Sequence, residues 1–352
     1  MIKSLLLHIN NFLVSEKFFY VPVSALTSFC LAIMFILIAI PILRKCGMVD
    51  IPSTRRAHKI PTPRGGGIAF VLAYITTIYF IDLSSAQYFN TTYLLLGVSI
   101  LALVSFIDDA RGMGVSTRLL THFIVAYLCL SYYLSPNLIF RGELSPIFDM
   151  ALSVFALVAF LNIYNFLDGI DGISSMQSIH LSLTTLFLCI IRDKVIINVD
   201  LVFYSSAILL GCSVAFLIFN WSPAKLFMGD VGSTFLGLLH GLNLLLIASS
   251  SERLFLAAAI SSLYYIADGG ITILLRMMRK EKFWLPHLNH FFQQAVRKGM
   301  THREIVWKIT ACNAILLVLS VASLYVPHIS IIFSILTVTY TLAHFHHGKS
   351  HS

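Results

Sequence analysis

Five carboxylates stand where long apolar runs of the chain begin or end: the pair Asp108 and Asp109, then Asp168 with Asp171, and Asp230. Only 11% of the 352 residues are charged and 58% are hydrophobic, so each acid at such a boundary has to be compensated or used. Adjacent like charges at 108–109 repel, and one of them gains a proton unless a cation offsets the pair. Mg²⁺ supplies that offset through oxygen ligands and also carries diphosphates. These residues imply a metal-dependent site at a lipid–water boundary.

Other polar groups gather in the same loops. In NIYNFLDGIDG, 162–172, Asn162, Asn165, Asp168 and Asp171 recur every three residues after an apolar run, a spacing that lines one side of a helix end or turn. Capping the next helix needs one Asp, not two Asp and two Asn. FNWSPAKLFMGDVGS, 219–233, holds Asn220, Lys225 and Asp230, with Gly229 and Gly232 near the acid. An Asp there is a good hard-metal ligand and equally a good N-cap. VDIPSTRRAHKIPTPRGGG, 49–67, sets Arg55, Arg56, His58, Lys59 and Arg64 among prolines and ends in three glycines. A basic loop over a glycine-rich helix start suits phosphate or diphosphate, with the glycines allowing close approach to the ligand. HLNHFFQQAVRKGMTHRE, 287–304, supplies His287 and His290, then Arg297, Lys298, His302 and Arg303, which fit phosphate or base contacts better than zinc. Asp268 lies inside an apolar run, a depth that suggests it faces the same cavity. His344, His346 and His347 read as a disordered tail.

The elements that must position these groups are membrane helices. Mean hydropathy is +0.86, and apolar windows of spanning length recur at about 22–43, 66–82, 92–107, 117–134, 148–164, 173–191, 201–219, 233–248, 254–276, 305–323 and 327–343. The expected fold is all-α: a polytopic membrane bundle of about eleven helices in one domain, 1–352. Residues 5–14 are mildly apolar with no small-residue cleavage site after them, so a cleaved signal peptide is not expected. The six cysteines are scattered singly and read as packing residues. With the 44–65 loop in the cytoplasm, eighteen Lys and Arg fall on that side; the other side holds Lys3, Lys17, Arg141, Arg192, Lys194 and Arg253. The positive-inside bias puts every acidic cluster on the cytoplasmic face. The net charge of +8 then reads as topology plus attraction to anionic lipid and phosphate substrates, and no DNA-reading motif argues for nucleic acid.

PTPRGGG at 61–67, FIDD at 106–109, NFLDGIDG at 165–172 and NWSPAKLFMGDVGS at 220–233, in this order, resemble the polyprenyl-phosphate N-acetylhexosamine-1-phosphate transferase family over about 40–310. The resemblance implies a ten- or eleven-helix bundle in the bacterial cytoplasmic membrane, with its active site facing the cytoplasm. It implies Asp108 and Asp109 as paired catalytic acids, with Asp168, Asp171 and Asn165 shaping the catalytic and nucleotide cleft that Asn220 lines. Asp230 would be the principal Mg²⁺ ligand, with Mn²⁺ as a substitute, and Lys59 and Arg64 would meet phosphates. His287 and His290 correspond to the family's histidine motif, from which this chain departs by having Leu288 and Asn289 between them. The Arg-Gly-Gly-Gly form and the single His-x-x-His resemble the O-antigen-initiating branch.

The implied reaction joins a UDP-N-acetylhexosamine to undecaprenyl phosphate and releases UMP. The sugar stays open between UDP-GlcNAc and a 6-deoxy relative such as UDP-QuiNAc or UDP-FucNAc. Oligomeric state is open too, a homodimer being compatible with the resemblance. Two other classes compete. A secondary transporter would place its acids near the midplane, whereas these cluster at one face. A non-catalytic envelope assembly protein would not need all five acids.

Overall fold

The computed structural model describes residues 17–50, 61–84, 90–134, 139, 143–192, 195–282, 285 and 287–348, and the side chains of all of these but 17, 18 and 84. Lys59, with Arg55, Arg56 and His58, lies outside the described residues, as do the signal-peptide positions 5–14. The described chain is almost entirely helical: α1 (Lys17–Lys45), α2 (Gly67–Ser84), α3 (Thr92–Arg111), α4 (Val115–Tyr133), α5 (Pro146–Leu167), α6 (Ile173–Arg192), α7 (Val199–Asn220), α8 (Asp230–Ser250), α9 (Glu252–Ser261), α10 (Leu263–Met278), α11 (Phe291–Arg297), α12 (His302–Ser323) and α13 (Pro327–His347).

Ten of the eleven expected spans each fall on one helix. Among the described residues nine helices are long and apolar enough to cross a membrane, while α2 is shorter. The ninth expected span is not one helix: α9 and α10 meet at 69°, across the break at Ser262. Leu26, Leu103, Leu120, Phe155, Ile218, Val318 and Leu336 stand exposed around the bundle, which in water would be a large penalty and in lipid is the ordinary state. The protein is an all-α, multi-pass membrane protein.

α8 forms the centre. Eighteen of its 21 residues are buried, so it is surrounded by other helices rather than amphipathic. It packs against α5, α3, α2 and α9. Small residues let helices approach closely where apolar solvent supplies no hydrophobic drive. At the crossing of α2 and α8 a Cβ on Gly67 would overlap the Cα of Gly232, so the two backbones touch.

That contact corrects the reading of the three glycines. They approach another part of the chain, not a ligand: Gly66 N–H donates to Phe227 O at 2.9 Å and Gly67 N–H to Met228 O at 2.8 Å. A short antiparallel ladder of β1 (Val49–Asp50) and β2 (Thr62–Pro63) fixes the ends of the basic loop. Arg64 N–H donates to Met48 O at 3.0 Å, which sets Arg64 at the mouth of the bundle. The C-terminal histidines are not a tail either: His344, His346 and His347 form the last turn of α13.

Candidate active site

Where α3, α5, α7 and α10 end and α2, α4, α6, α8 and α12 begin, the loops enclose a cavity of about 410 Å³. Arg64, Asn165, Asp168, Asp171, Asn220 and Asp230 line it, and so do Gln293, Val296 and Arg297 of α11 and His302 of α12. The first six, all singled out in the sequence, meet in one place although they come from three separate loop regions.

Asp230 opens α8, where the helix dipole favours negative charge. Each of its oxygens is held by a cation: Oδ1 lies 3.1 Å from Arg64 Nη2, and Oδ2 lies 3.3 Å from Arg118 Nη1. The same guanidiniums reach the 108–109 pair, Arg64 to Asp109 at 2.9 Å and Arg118 to Asp108 at 2.9 Å. Asp109 also accepts from the first two amides of α8, Asp230 N–H on Oδ1 and Val231 N–H on Oδ2, both at 3.0 Å. Its side chain is 0% exposed while that of Asp230 is 20% exposed. The positive φ of Gly229 (75°) and its lack of a side chain permit this closure, because a Cβ there would lie 2.6 Å from Asp109 Oδ2. Neither Asp108 nor Asp109 is among the cavity-lining residues.

In the sequence Arg118 is one of the eighteen basic residues counted on the cytoplasmic side. A stronger signal was present nonetheless. It stands in the first turn of α4, where the helix dipole disfavours a cation, and such a cation calls for an acidic partner.

Asp168 caps the end of α5. Burial raises its carboxyl from 3.8 to about 7; Asp230 and Asp109 add to the rise, and Arg64 opposes it. Asp171 goes the other way. Burial alone would raise it, but hydrogen bonding and charge from His302, helped by Ala224 N–H, hold it below the ordinary carboxylate value. His302 Nδ1 lies 3.4 Å from Asp171 Oδ2. Burial works against the Arg64 charge, yet the fields of Asp109 and Asp230 outweigh it and raise its pKa.

The asparagines serve the frame. Asn220 accepts from Gly172 N–H at 2.9 Å and donates to Leu226 O at 2.9 Å, clipping the loop that carries Asp171 to the loop that leads to Asp230. Asn165 Oδ1 accepts from Ser233 Oγ at 3.0 Å. Asn162 donates to Val158 O of its own helix and does not line the cavity.

Besides Asp108 and Asp109, three residues expected at the cavity lie elsewhere. Asp268 does not line it; it is 0% exposed and accepts from the backbone amide of Phe291 at 2.9 Å and from His290 Nδ1 at 3.3 Å. His287 and His290 stand with ring centres 4.8 Å apart, but Leu288 between them is the residue that lines the cavity. Burial, with help from His290 and Arg276, lowers the His287 pKa to about 4.

Among the described residues no three or more His, Cys, Asp and Glu side chains group so as to hold a metal ion unaided. Mg²⁺ does not need such a cage, since it commonly takes one or two carboxylates and completes its shell with water and substrate phosphates. The hard oxygen donors of Asp230 and Asp168 fit that demand.

Residues 91–249 match the model of glycosyl transferase family 4, a stretch that contains all five boundary carboxylates. The chain is 26% identical over 294 residues to a probable undecaprenyl-phosphate N-acetylglucosaminyl 1-phosphate transferase of Bacillus subtilis (strain 168), covering 79% of each protein. It is 29% identical over 303 residues to a phospho-N-acetylmuramoyl-pentapeptide-transferase of Wolbachia sp. subsp. Brugia malayi, covering 78% of this chain and 87% of that one. A second such transferase, from Orientia tsutsugamushi, is 26% identical over 365 residues, covering 90% and 97%. Over residues 91–249 the chain is thus similar to glycosyl transferase family 4, and over most of its length it is similar to transferases named for undecaprenyl phosphate or for phospho-N-acetylmuramoyl-pentapeptide.

Proposed function

We propose that the protein transfers an N-acetylhexosamine-1-phosphate from a UDP-sugar to undecaprenyl phosphate and releases UMP, at the cytoplasmic face of a bacterial inner membrane. The observation that carries this reading is the bracketing of Asp230 by Arg64 and Arg118 at the edge of the cavity, which the half-buried Asp168 also lines. Arg64, Asp168 and Asp230 on one cavity wall, with Arg118 behind Asp230, suit a diphosphate with a divalent cation.

A lipid phosphate oxygen would attack the sugar-bearing phosphorus, forming one P–O bond as the bond to the UMP oxygen breaks. When bound, Mg²⁺ would be held by Asp230 and Asp168 and would offset charge on the diphosphate. Arg64 and Arg118 would add preorganised charge at the same place. The lipid phosphate has a second pKa near ~6 and is largely dianionic at neutral pH, so no strong base is required. We therefore assign Asp108 and Asp109 a bracing part, holding Arg118 and the start of α8.

The donor we favour is UDP-GlcNAc or a 6-deoxy relative, feeding O-antigen or another envelope polysaccharide. The single His-x-x-His of 287–290 supports this branch. The transporter reading loses weight because the acids sit at helix ends on one side of the bundle. The test is transfer from labelled UDP-GlcNAc, UDP-QuiNAc and UDP-FucNAc to undecaprenyl phosphate in detergent, with Mg²⁺, Mn²⁺ or EDTA. Metal-dependent labelled lipid and released UMP, lost in Asp230→Ala, would support the proposal. No product with any of the three donors would overturn it.

A further inference from the structure

α11 has seven residues, too few to be held by its own hydrogen bonds, yet it supplies Gln293, Val296 and Arg297 to the cavity wall. Its hold comes from α10. The buried carboxylate of Asp268 accepts from Phe291 N–H at 2.9 Å and Phe292 N–H at 3.4 Å, the first two amides of α11. It also accepts from His290 Nδ1 at 3.3 Å and from the Tyr264 hydroxyl at 3.2 Å. A carboxylate at 0% exposure is costly unless its lone pairs are engaged, and here four donors engage them.

The next residue fixes the register. Phe292 is buried, and its ring lies so close to Gly169 that a Cβ there would meet it at 3.0 Å. The helix is thereby set against the loop that carries Asp168 and Asp171. At its other end Lys298 donates to the carbonyl of His346, and His346 Nδ1 lies 3.2 Å from Gln294 Oε1.

We propose that Asp268 is a positioning residue for the sugar nucleotide: acting through α11, it sets where Gln293 and Arg297 meet the donor, without touching the donor itself. This rests on the phospho-sugar transfer reading. It separates Asp268 from the metal and phosphate groups, and it makes the donor, not the lipid acceptor, the substrate that senses α11.

The experiment compares Asp268→Asn, Arg297→Gln and the double variant with wild type. Asp268→Asn is expected to raise the KM for the UDP-sugar roughly tenfold and to leave kcat and the KM for undecaprenyl phosphate within about twofold. The double variant is expected to be no worse for the donor than Arg297→Gln alone, because both changes act through one helix. A raised lipid KM, a fall in kcat alone, or additive losses would overturn the inference. Hydrogen exchange gives a readout independent of turnover: amides of 291–297 should exchange faster in Asp268→Asn, with those of 230–250 unchanged. Unaltered exchange at 291–297 overturns the inference whatever the protein transfers, whereas wild type that makes no lipid product overturns the transfer reading instead. Should Asp268→Asn not fold, Phe292→Leu loosens the same helix and must raise the donor KM alone.

Discussion

The Asp109 carboxylate closes on the backbone of Asp230: one oxygen accepts from the Asp230 amide and the other from that of Val231, each at 3.0 Å. A fully buried acid from α3 is thus the N-terminal cap of the helix that presents a partly exposed acid to the cavity. Asp109→Asn keeps one acceptor and loses the charge, so it should cost about 1–3 kcal/mol of stability as well as activity. Asp230→Asn should abolish transfer and cost less stability than Asp109→Asn, since its side chain is 20% exposed against 0% and it caps no helix with its carboxylate. Thermal unfolding in detergent beside the transfer assay separates the two; equal destabilisation would contradict the capping role.

Arg118 spans Asp108 and Asp230 with a single nitrogen. Arg118→Gln is expected to lower kcat/KM by roughly 10–100-fold, the scale of about 1.5–3 kcal/mol for a charge-assisted hydrogen bond. Arg118→Lys should recover part of that loss. Steady-state kinetics with both substrates would check it, and a Lys variant no better than Gln would show that charge is not what matters there.

Asp168 gives the pH dependence a sign. Its carboxyl holds a proton up to about 7 in the folded chain, against an ordinary 3.8. Its contribution to stability is therefore full below about pH 4 and is lost as pH rises through about 7. His287 opposes this in part: lowered from 6.5 to about 4, it makes stability rise with pH across that interval. Asp171, held low, loses its contribution only as pH falls below the ordinary carboxylate range. The difference in melting temperature between Asp168→Asn and wild type isolates the first effect and should grow from pH 4 to 7 in EDTA. A flat difference would refute the assignment. Added Mg²⁺ at pH 7.5 should stabilise wild type more than the variant.

Asn220 joins two loops through Gly172 N–H and Leu226 O. Asn220→Ala should leave both groups buried without a partner and cost about 1–3 kcal/mol each at most. Asn220→Asp should keep the first contact but set a buried carboxylate oxygen against the Leu226 carbonyl. Melting curves for the pair of variants check this, and Asp should be the harsher change.

Much of this molecule was legible in its sequence because lipid simplifies the code. An apolar run of spanning length must be a helix, since its backbone has no other partner in hydrocarbon, and all eleven runs are helical. The acids at the ends of those runs were legible for the same reason, and Asp168, Asp171 and Asp230 do share a cavity. What was hidden is direction. A carboxylate in or beside an apolar run looks the same whether it faces a ligand, as Asp230 can, or a backbone, as Asp109 and Asp268 do. The break at Ser262 was hidden too, because the residues around it stay apolar. The triple glycine misled in a similar way, since close approach to a ligand and close approach to another backbone need the same residue.

The meeting of Gly67 and Gly232 has a practical meaning for genetics. Two residues after Asp230, α8 rests on α2 with no side chain between them. An alanine at either position would act like a shim in a joint, displacing the acid while leaving every charged group in the chain intact. Inactive variants recovered there would belong to the catalytic phenotype by behaviour and to neither substrate by contact. Second-site suppressors would be expected on the facing helix, not in the loops that hold the chemistry.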